Sequence, residues 1–155
     1  MDKTTFEQLY RELLPGFYRL AQGMLRNAAD AQDAVQQAAL KAWQAANGIK
    51  LGGERAYMTR IVINECRNIQ RHRMRVIPVE EFREEPYIPK DRELRRAIDG
   101  LPERLRLPLL LKYMEGYSEK EAAAALGITL PALKGRLLRA RRQLAKELKE
   151  EVEWI

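Results

Sequence analysis

The chain has 155 residues, of which 46% are hydrophobic and 32% charged, and it carries a net charge of +6 with a pI near 9.6. That balance excludes fibrous and low-complexity classes and favours an anionic partner. One cysteine, Cys66, and one histidine, His72, exclude an intramolecular disulfide and a Cys/His zinc site.

Proline and glycine fall mainly where helices would end, and no long run of alternating β-branched residues occurs, so the predicted fold class is all-α. Phe6, Leu9, Tyr10, Leu13, Phe17, Leu20, Ala21 and Met24 keep helical spacing across Pro15, which predicts a first helix that is kinked or divided there. Asn27 to Asp30 reads as a turn and a new cap. A second helix, from about Ala31 to Ala46, turns Val35, Ala38, Ala42 and Trp43 towards the first and leaves Asp30, Asp33, Gln36 and Gln37 on another face. The stretch from Asn47 to Arg55, with Gly48, Gly52 and Gly53, is a loop. A third helix from near Glu54 buries Met58, Ile61, Val62 and Ile69. Five arginines stand against one acid, Glu65, between Arg60 and Arg75, which makes a basic surface.

Residues 76–91 reverse the composition, with Pro78, Pro86 and Pro89 among Glu80, Glu81, Glu84, Glu85 and Asp91. Three prolines oppose a regular helix there, so the segment reads as an acidic linker between an amino-terminal domain, 1–75, and a carboxy-terminal domain, 92–155. Each domain is near the size at which a lone core is marginal. A helix from about Arg92 to Gly100 comes next, and Leu101-Pro102 opens another that runs through Leu111 and Met114 to Gly116. Ser118 then caps a short helix through Leu126, Gly127 permits a left-handed turn, and Thr129 caps a longer helix with Pro131 in its first turn. This is a helix-turn-helix. Ala122, Ala123 and Ala124 supply the small side chains that the crossing requires, and Leu130, Leu133, Leu137, Ala140 and Leu144 form the buried stripe. Lys134, Arg136, Arg139, Arg141, Arg142 and Lys146 occupy the other faces with no acid from Pro131 to Lys146, a pattern suited to phosphate. The alternative is a solvated amphipathic helix, although such helices usually mix signs. The tail from Glu147 is mostly acidic and ends in Trp154 and Ile155.

The run from Leu101 to Leu144 resembles the carboxy-terminal domain of extracytoplasmic-function (ECF) sigma factors, group IV of the sigma-70 family. The matching positions are Leu101-Pro102, Arg106, Leu111, Gly116, Ser118, Glu121, Leu126-Gly127, Lys134, Arg136-Leu137 and Arg139-Ala140-Arg141. Upstream, AQDAVQQA from Ala31 is similar to the family's A-E-D-x-x-Q-E stretch, with Gln32 and Gln37 replacing acids. RAYMTRIVINECRNIQRHR resembles its W-L-x-x-I-A-x-N segment, with Asn64 at the asparagine and Tyr57 at the tryptophan. Other departures are Ala122 for isoleucine, Ala132 for threonine and Gly135 for serine.

The resemblance implies a two-domain subunit that binds core RNA polymerase and takes it to promoter DNA. The second domain would read the upstream (−35) element and the first the downstream (−10) element. By the same resemblance Pro131, Ala132, Lys134, Gly135 and Arg136 lie in or beside the major groove, Arg139 and Arg142 reach phosphates, and Arg106 and Ser118 are phosphate contacts. Alternatives stand beside these: Arg136 in a salt bridge to Glu121 or another acid, and Ser118 as a cap alone. Arg60, Asn64, Arg67 and Arg71 would face the −10 element, with the loop at 47–55 holding an unstacked base; Asn64 could equally be a buried amide. Asp30, Asp33, Gln36 and Gln37 resemble the polymerase-binding face, against a merely solvated one. A cognate anti-sigma factor is also implied. No metal, cofactor or small-molecule substrate is expected, nor any enzymatic activity, because a lone histidine completes no Ser-His-Asp set. The amino terminus lacks the apolar core of a signal peptide and no apolar run is long enough to cross a bilayer, which predicts a cytoplasmic protein. The competing readings are a stand-alone helix-turn-helix transcriptional regulator and a protein-interaction adaptor.

Overall fold

The computed structural model describes residues 2–49, 52–75 and 92–148. The expected linker at 76–91 and the Trp154/Ile155 tail lie outside the described residues. Every regular element described is helical.

Helix α1 spans Lys3–Leu25, capped by Asp2, whose side chain accepts from the Thr5 amide at 2.7 Å. It continues through Pro15 as one element. A mid-helix proline costs about 3 kcal/mol, and here Tyr10, Phe17, Leu20 and Ala21 are buried on both sides of it and hold the two halves in one line of packing. Arg26, with φ 53°, closes the helix in the left-handed region, and Asn27 immediately caps α2, Ala28–Gln44. That helix therefore starts three residues before the predicted Ala31. Trp43, Phe6, Tyr10 and Phe17 form a row of aromatic contacts at 5.3–5.7 Å between centroids. The Tyr10 hydroxyl donates to the Val35 carbonyl at 2.7 Å, which pairs the buried hydroxyl of that row.

After a 3₁₀ turn at Ala46–Gly48, α3 spans Glu54–Arg75. Met58 and Val62 are buried as the period predicted, while Ile61 and Ile69 are half-buried. The helix also buries Ala56, Thr59, Ile63 and Cys66. One amphipathic stripe cannot account for these, and the reason is that α3 packs on α1 and α2 with one side and on α6 with the other.

The carboxy-terminal part comprises α4, Arg92–Asp99, α5, Glu103–Leu109, a π-helical turn at Leu110–Met114, α6, Glu119–Leu126, and α7, Leu130–Leu148. The helix predicted to run to Met114 thus widens in its last turn, where the Glu115 amide donates back to Leu110 and the Tyr117 amide to Leu111. Leu107, Leu111, Leu133, Leu137 and Leu144 are fully buried. Leu130, expected in that stripe, is 37% exposed, because it stands at the first helical position ahead of the packed face. At the crossing, Ala122, Ala123 and Ala125 are buried and Ala124 faces out. The buried residues of both halves form one continuous cluster. Two cores that would each be marginal share their apolar surface through α3 and α6.

Gly135 lies inside α7 with nothing within 4 Å of where a Cβ would stand. Gly135→Ala is therefore expected to raise unfolding stability by about 0.5–1 kcal/mol in a denaturant titration, and a loss instead would mean that α7 needs the glycine for its backbone path.

Candidate nucleic-acid and protein interface

The helix-turn-helix forms for the reasons its sequence gives. The Ser118 hydroxyl accepts from the Glu121 amide at 3.0 Å, and the Glu121 carboxylate accepts from the Ser118 amide at 3.2 Å, a complete capping box. Gly127, with φ 68°, turns the chain, and the Thr129 hydroxyl accepts from the Ala132 amide at 3.2 Å to start α7. Along α7, Pro131, Ala132, Lys134, Arg139 and Arg142 are exposed, and Gly135 and Arg136 half-buried. Lys134 has only a loose neighbour in Glu119, at 4.0 Å, since that carboxylate is held by Lys112 at 2.9 Å.

On α3, Arg60, Asn64 and Arg71 are exposed and Arg67 half-buried, at positions i, i+4, i+7 and i+11 of one stripe. Asn64 is thus no buried amide. The stripe runs beside the helix-turn-helix: the Arg60 guanidinium lies 3.2 Å from where a Cβ on Gly127 would be. Further along α3, the Gln70 amide donates to Glu103 at 2.8 Å.

The seam between the two halves is polar at its edge and closed at its centre. The Arg55 guanidinium makes a two-pronged pair with Glu121, at 2.8 and 2.9 Å, and lies 3.9 Å over the Tyr117 ring. This pair takes the carboxylate that the alternative reading gave to Arg136. It also holds the Glu121 carboxyl below its usual range. Thr59 donates to the Arg55 carbonyl at 2.6 Å, so Tyr117 is the donor in the buried 2.7 Å bond between the two hydroxyls. Arg19 pairs with Glu115 at 2.8 and 2.9 Å, and Arg26 donates to the Asp99 carbonyl at 2.6 Å. In the contacts that cross the seam, every cation comes from the first half, and every carboxylate or carbonyl it meets from the second.

Two predicted site residues are engaged elsewhere. Arg106 is only 7% exposed and donates to the Asp99 and Leu101 carbonyls at 3.2 Å, so it caps the end of α4 and is not presented to a phosphate. Asp30 is half-buried in an ion pair with Arg73, which also donates to the Leu25 carbonyl. The remaining α2 face, Asp33, Gln36 and Gln37, is exposed, and Leu40, 58% exposed, continues it at the next turn. Sequence periodicity had no reason to single out Leu40, since an apolar residue on an amphipathic helix is ordinarily assigned to the core. The Lys41–Glu65 ion pair next to it fixes α2 on α3. Cys66 is buried, with its thiol pushed up to about 12 by burial and by Glu103 and Glu65, and His72 is exposed. Among the described residues no group of His, Cys, Asp and Glu has the arrangement of a metal site, and no helix is long and apolar enough to cross a membrane.

Residues 9–76 match the family model of sigma-70 region 2, and residues 91–144 that of sigma-70 region 4. The chain is 32% identical over 156 residues to the ECF RNA polymerase sigma factor SigM of Mycobacterium tuberculosis, an alignment that covers 95% of this chain and 79% of SigM. In structure it is similar to the sigma factor RpoE from Bartonella quintana, solved with the anti-sigma factor NepR, with TM-score 0.79, 25% identity, and 96% and 99% of the two chains covered. It is also similar to CnrH, solved with the cytosolic domain of CnrY, with TM-score 0.71, 27% identity, and 96% and 90% covered.

Because the Arg55 and Glu121 side chains are each about one-third exposed, a double-mutant cycle on the pair is expected to give a coupling of only about 0.2–1 kcal/mol, falling with added salt. A carboxyl that ionises more readily folded than unfolded stabilises fully above its unfolded pKa and stops doing so as pH falls through the folded one. The coupling should therefore be present at neutral pH and vanish in acid; a coupling that persists in acid would show that the pair is not ionic.

Proposed function

The chain belongs to the sigma-70 family, among its ECF RNA polymerase sigma factors, and from this premise we propose how its surfaces divide the work of promoter recognition. It binds core RNA polymerase and directs it to promoters. Helix α7 reads the upstream element, with Arg136 the candidate for bidentate pairing to guanine and Lys134 for backbone or guanine contact. Pro131, Ala132 and Gly135 lie close to the groove, and Arg139 and Arg142 neutralise phosphates. The stripe Arg60, Asn64, Arg67 and Arg71 meets the downstream element. Asp33, Gln36, Gln37 and Leu40 make the polymerase face, with Leu40 as its apolar anchor. Residues 1–75 and 92–155 act as separate units in this reading, joined by 76–91.

The observation that carries it is the pairing of two surfaces on one chain. A stand-alone regulator uses a helix-turn-helix and usually a two-fold partner, and leaves the region 2 match at 9–76 without a task. Geometry adds a requirement. At 3.4 Å per base pair, elements centred about 25 base pairs apart lie roughly 80 Å from each other, whereas a compact body of this length has a radius of gyration of about 15 Å. The packed seam must therefore open on the promoter. Sixteen linker residues, 76–91, reach about 55 Å when extended, which with the two domains is enough.

In this reading the chain is an initiation factor with no catalytic step of its own and works in the cytoplasm with the polymerase. A cognate anti-sigma factor is proposed by analogy with the two complexes above.

Run-off transcription with core polymerase on a pool of promoter fragments tests the assignment: discrete starts that depend on the protein are expected, and their absence together with failure to co-elute with core would overturn it. Lys134→Ala with Arg136→Ala should abolish promoter choice while core binding survives. Leu40→Ala should weaken core binding at an unchanged melting temperature; unchanged binding would remove Leu40 from the polymerase face.

A further inference from the structure

Four guanidinium groups from three helices stand together at the end of the seam nearest α5. Arg67 precedes Gln70 by one turn of α3, and Gln70 is hydrogen-bonded to Glu103 at 2.8 Å, which places Arg67 beside the start of α5. Arg104 is the next residue after Glu103. Helix α5 packs along α7, which brings Arg136 and Arg139 to the same place. None of these four arginines has an ion pair or a hydrogen bond among the described residues. Arg55, Arg19 and Arg73, by contrast, all have carboxylate partners. Glu103, the acid next to Arg104 in the chain, accepts from Gln70. Arg136 is half-buried, and burial, then Arg104, Arg67 and Arg139, lower its affinity for its own proton. The protein thus holds like charges together, Arg67 and Arg136 half-buried and Arg104 and Arg139 exposed, with no carboxylate paired to any of them among the described residues.

We propose that Arg67, Arg104, Arg136 and Arg139 form a composite binding site for a short phosphate chain, present only while the two halves are packed together. Arginine matches phosphate through a planar fork of donors, and a phosphate chain concentrates several charges within the span of a few guanidinium groups. An acidic peptide spreads its charges along an extended backbone and fits a compact cluster less well. By linkage, an anion that binds only the packed form stabilises that form. The consequence for promoter binding rests on the function proposed above, but the site itself does not, and its test needs no polymerase.

The test is isothermal titration of the full chain with inorganic tripolyphosphate at constant ionic strength, with pyrophosphate as the shorter probe. Tripolyphosphate is expected to bind more tightly. Arg104→Ala should weaken it about tenfold, the loss typical of one charge-assisted hydrogen-bonding group, and Lys146→Ala, further along α7, should not. A second variant separates the composite site from diffuse attraction. Glu115→Gln with Glu121→Gln removes two acids, so non-specific attraction would increase. The proposal requires the opposite, because the seam that assembles the site is loosened while glutamine still completes the capping box. Tighter binding by this double variant, or equal loss in the Arg104 and Lys146 variants, would overturn the site. Tighter binding of hexaglutamate than of tripolyphosphate would overturn the phosphate class.

Discussion

Glu121 is where the two halves of the chain depend on each other. Its carboxylate closes the capping box that starts α6 through one oxygen, Oε1, and receives the Arg55 fork from α3 on both. A helix that needs a cap and a seam that needs an anion are satisfied by one side chain, so the helix-turn-helix and the docking of the two halves are built together. Tyr117, one residue before the cap, lies under the Arg55 guanidinium and donates to Thr59. The loop leading into the DNA-binding motif is therefore also the part of the second half that contacts the first.

The seam is suited to parting. Its pairs are ionic, exposed at one end and charge-segregated, with cations on the first half and acceptors on the second. Such pairs contribute little each and weaken with salt. Helices α3 and α6 pack together, and their buried residues include the small and medium side chains of Ala56, Ile63, Ala122 and Ala125.

Much of this was legible in the sequence because local signals are strong where helices begin and end. Ser118, Gly127, Thr129 and Pro131 do locally what their chemistry dictates, and the α7 stripe follows from period alone. What was not legible depends on contacts between residues far apart in the chain. The second buried face of α3 exists only because α6 covers it, and Ile63 and Thr59 look like ordinary off-stripe residues until that helix is in place. Arg106 reads as a surface cation, since nothing local announces that two carbonyls at the end of α4 will enclose it. Asp30 looked free for the same reason, its partner Arg73 being 43 positions away. Pro15 shows the converse, a strong local signal for a break that is overridden by the packing on both sides of it.

The buried thiol of Cys66 has a practical meaning in this setting. It lies fully buried on the helix that both halves share, its pKa raised by burial and by the Glu103 and Glu65 carboxylates. Reagents in solution reach it only when the halves move apart or α3 unfolds, and the raised pKa leaves it unreactive until then. The native chain therefore carries a built-in chemical clock: the rate at which a thiol reagent modifies residue 66 counts excursions from the packed state, with no label added and no residue changed.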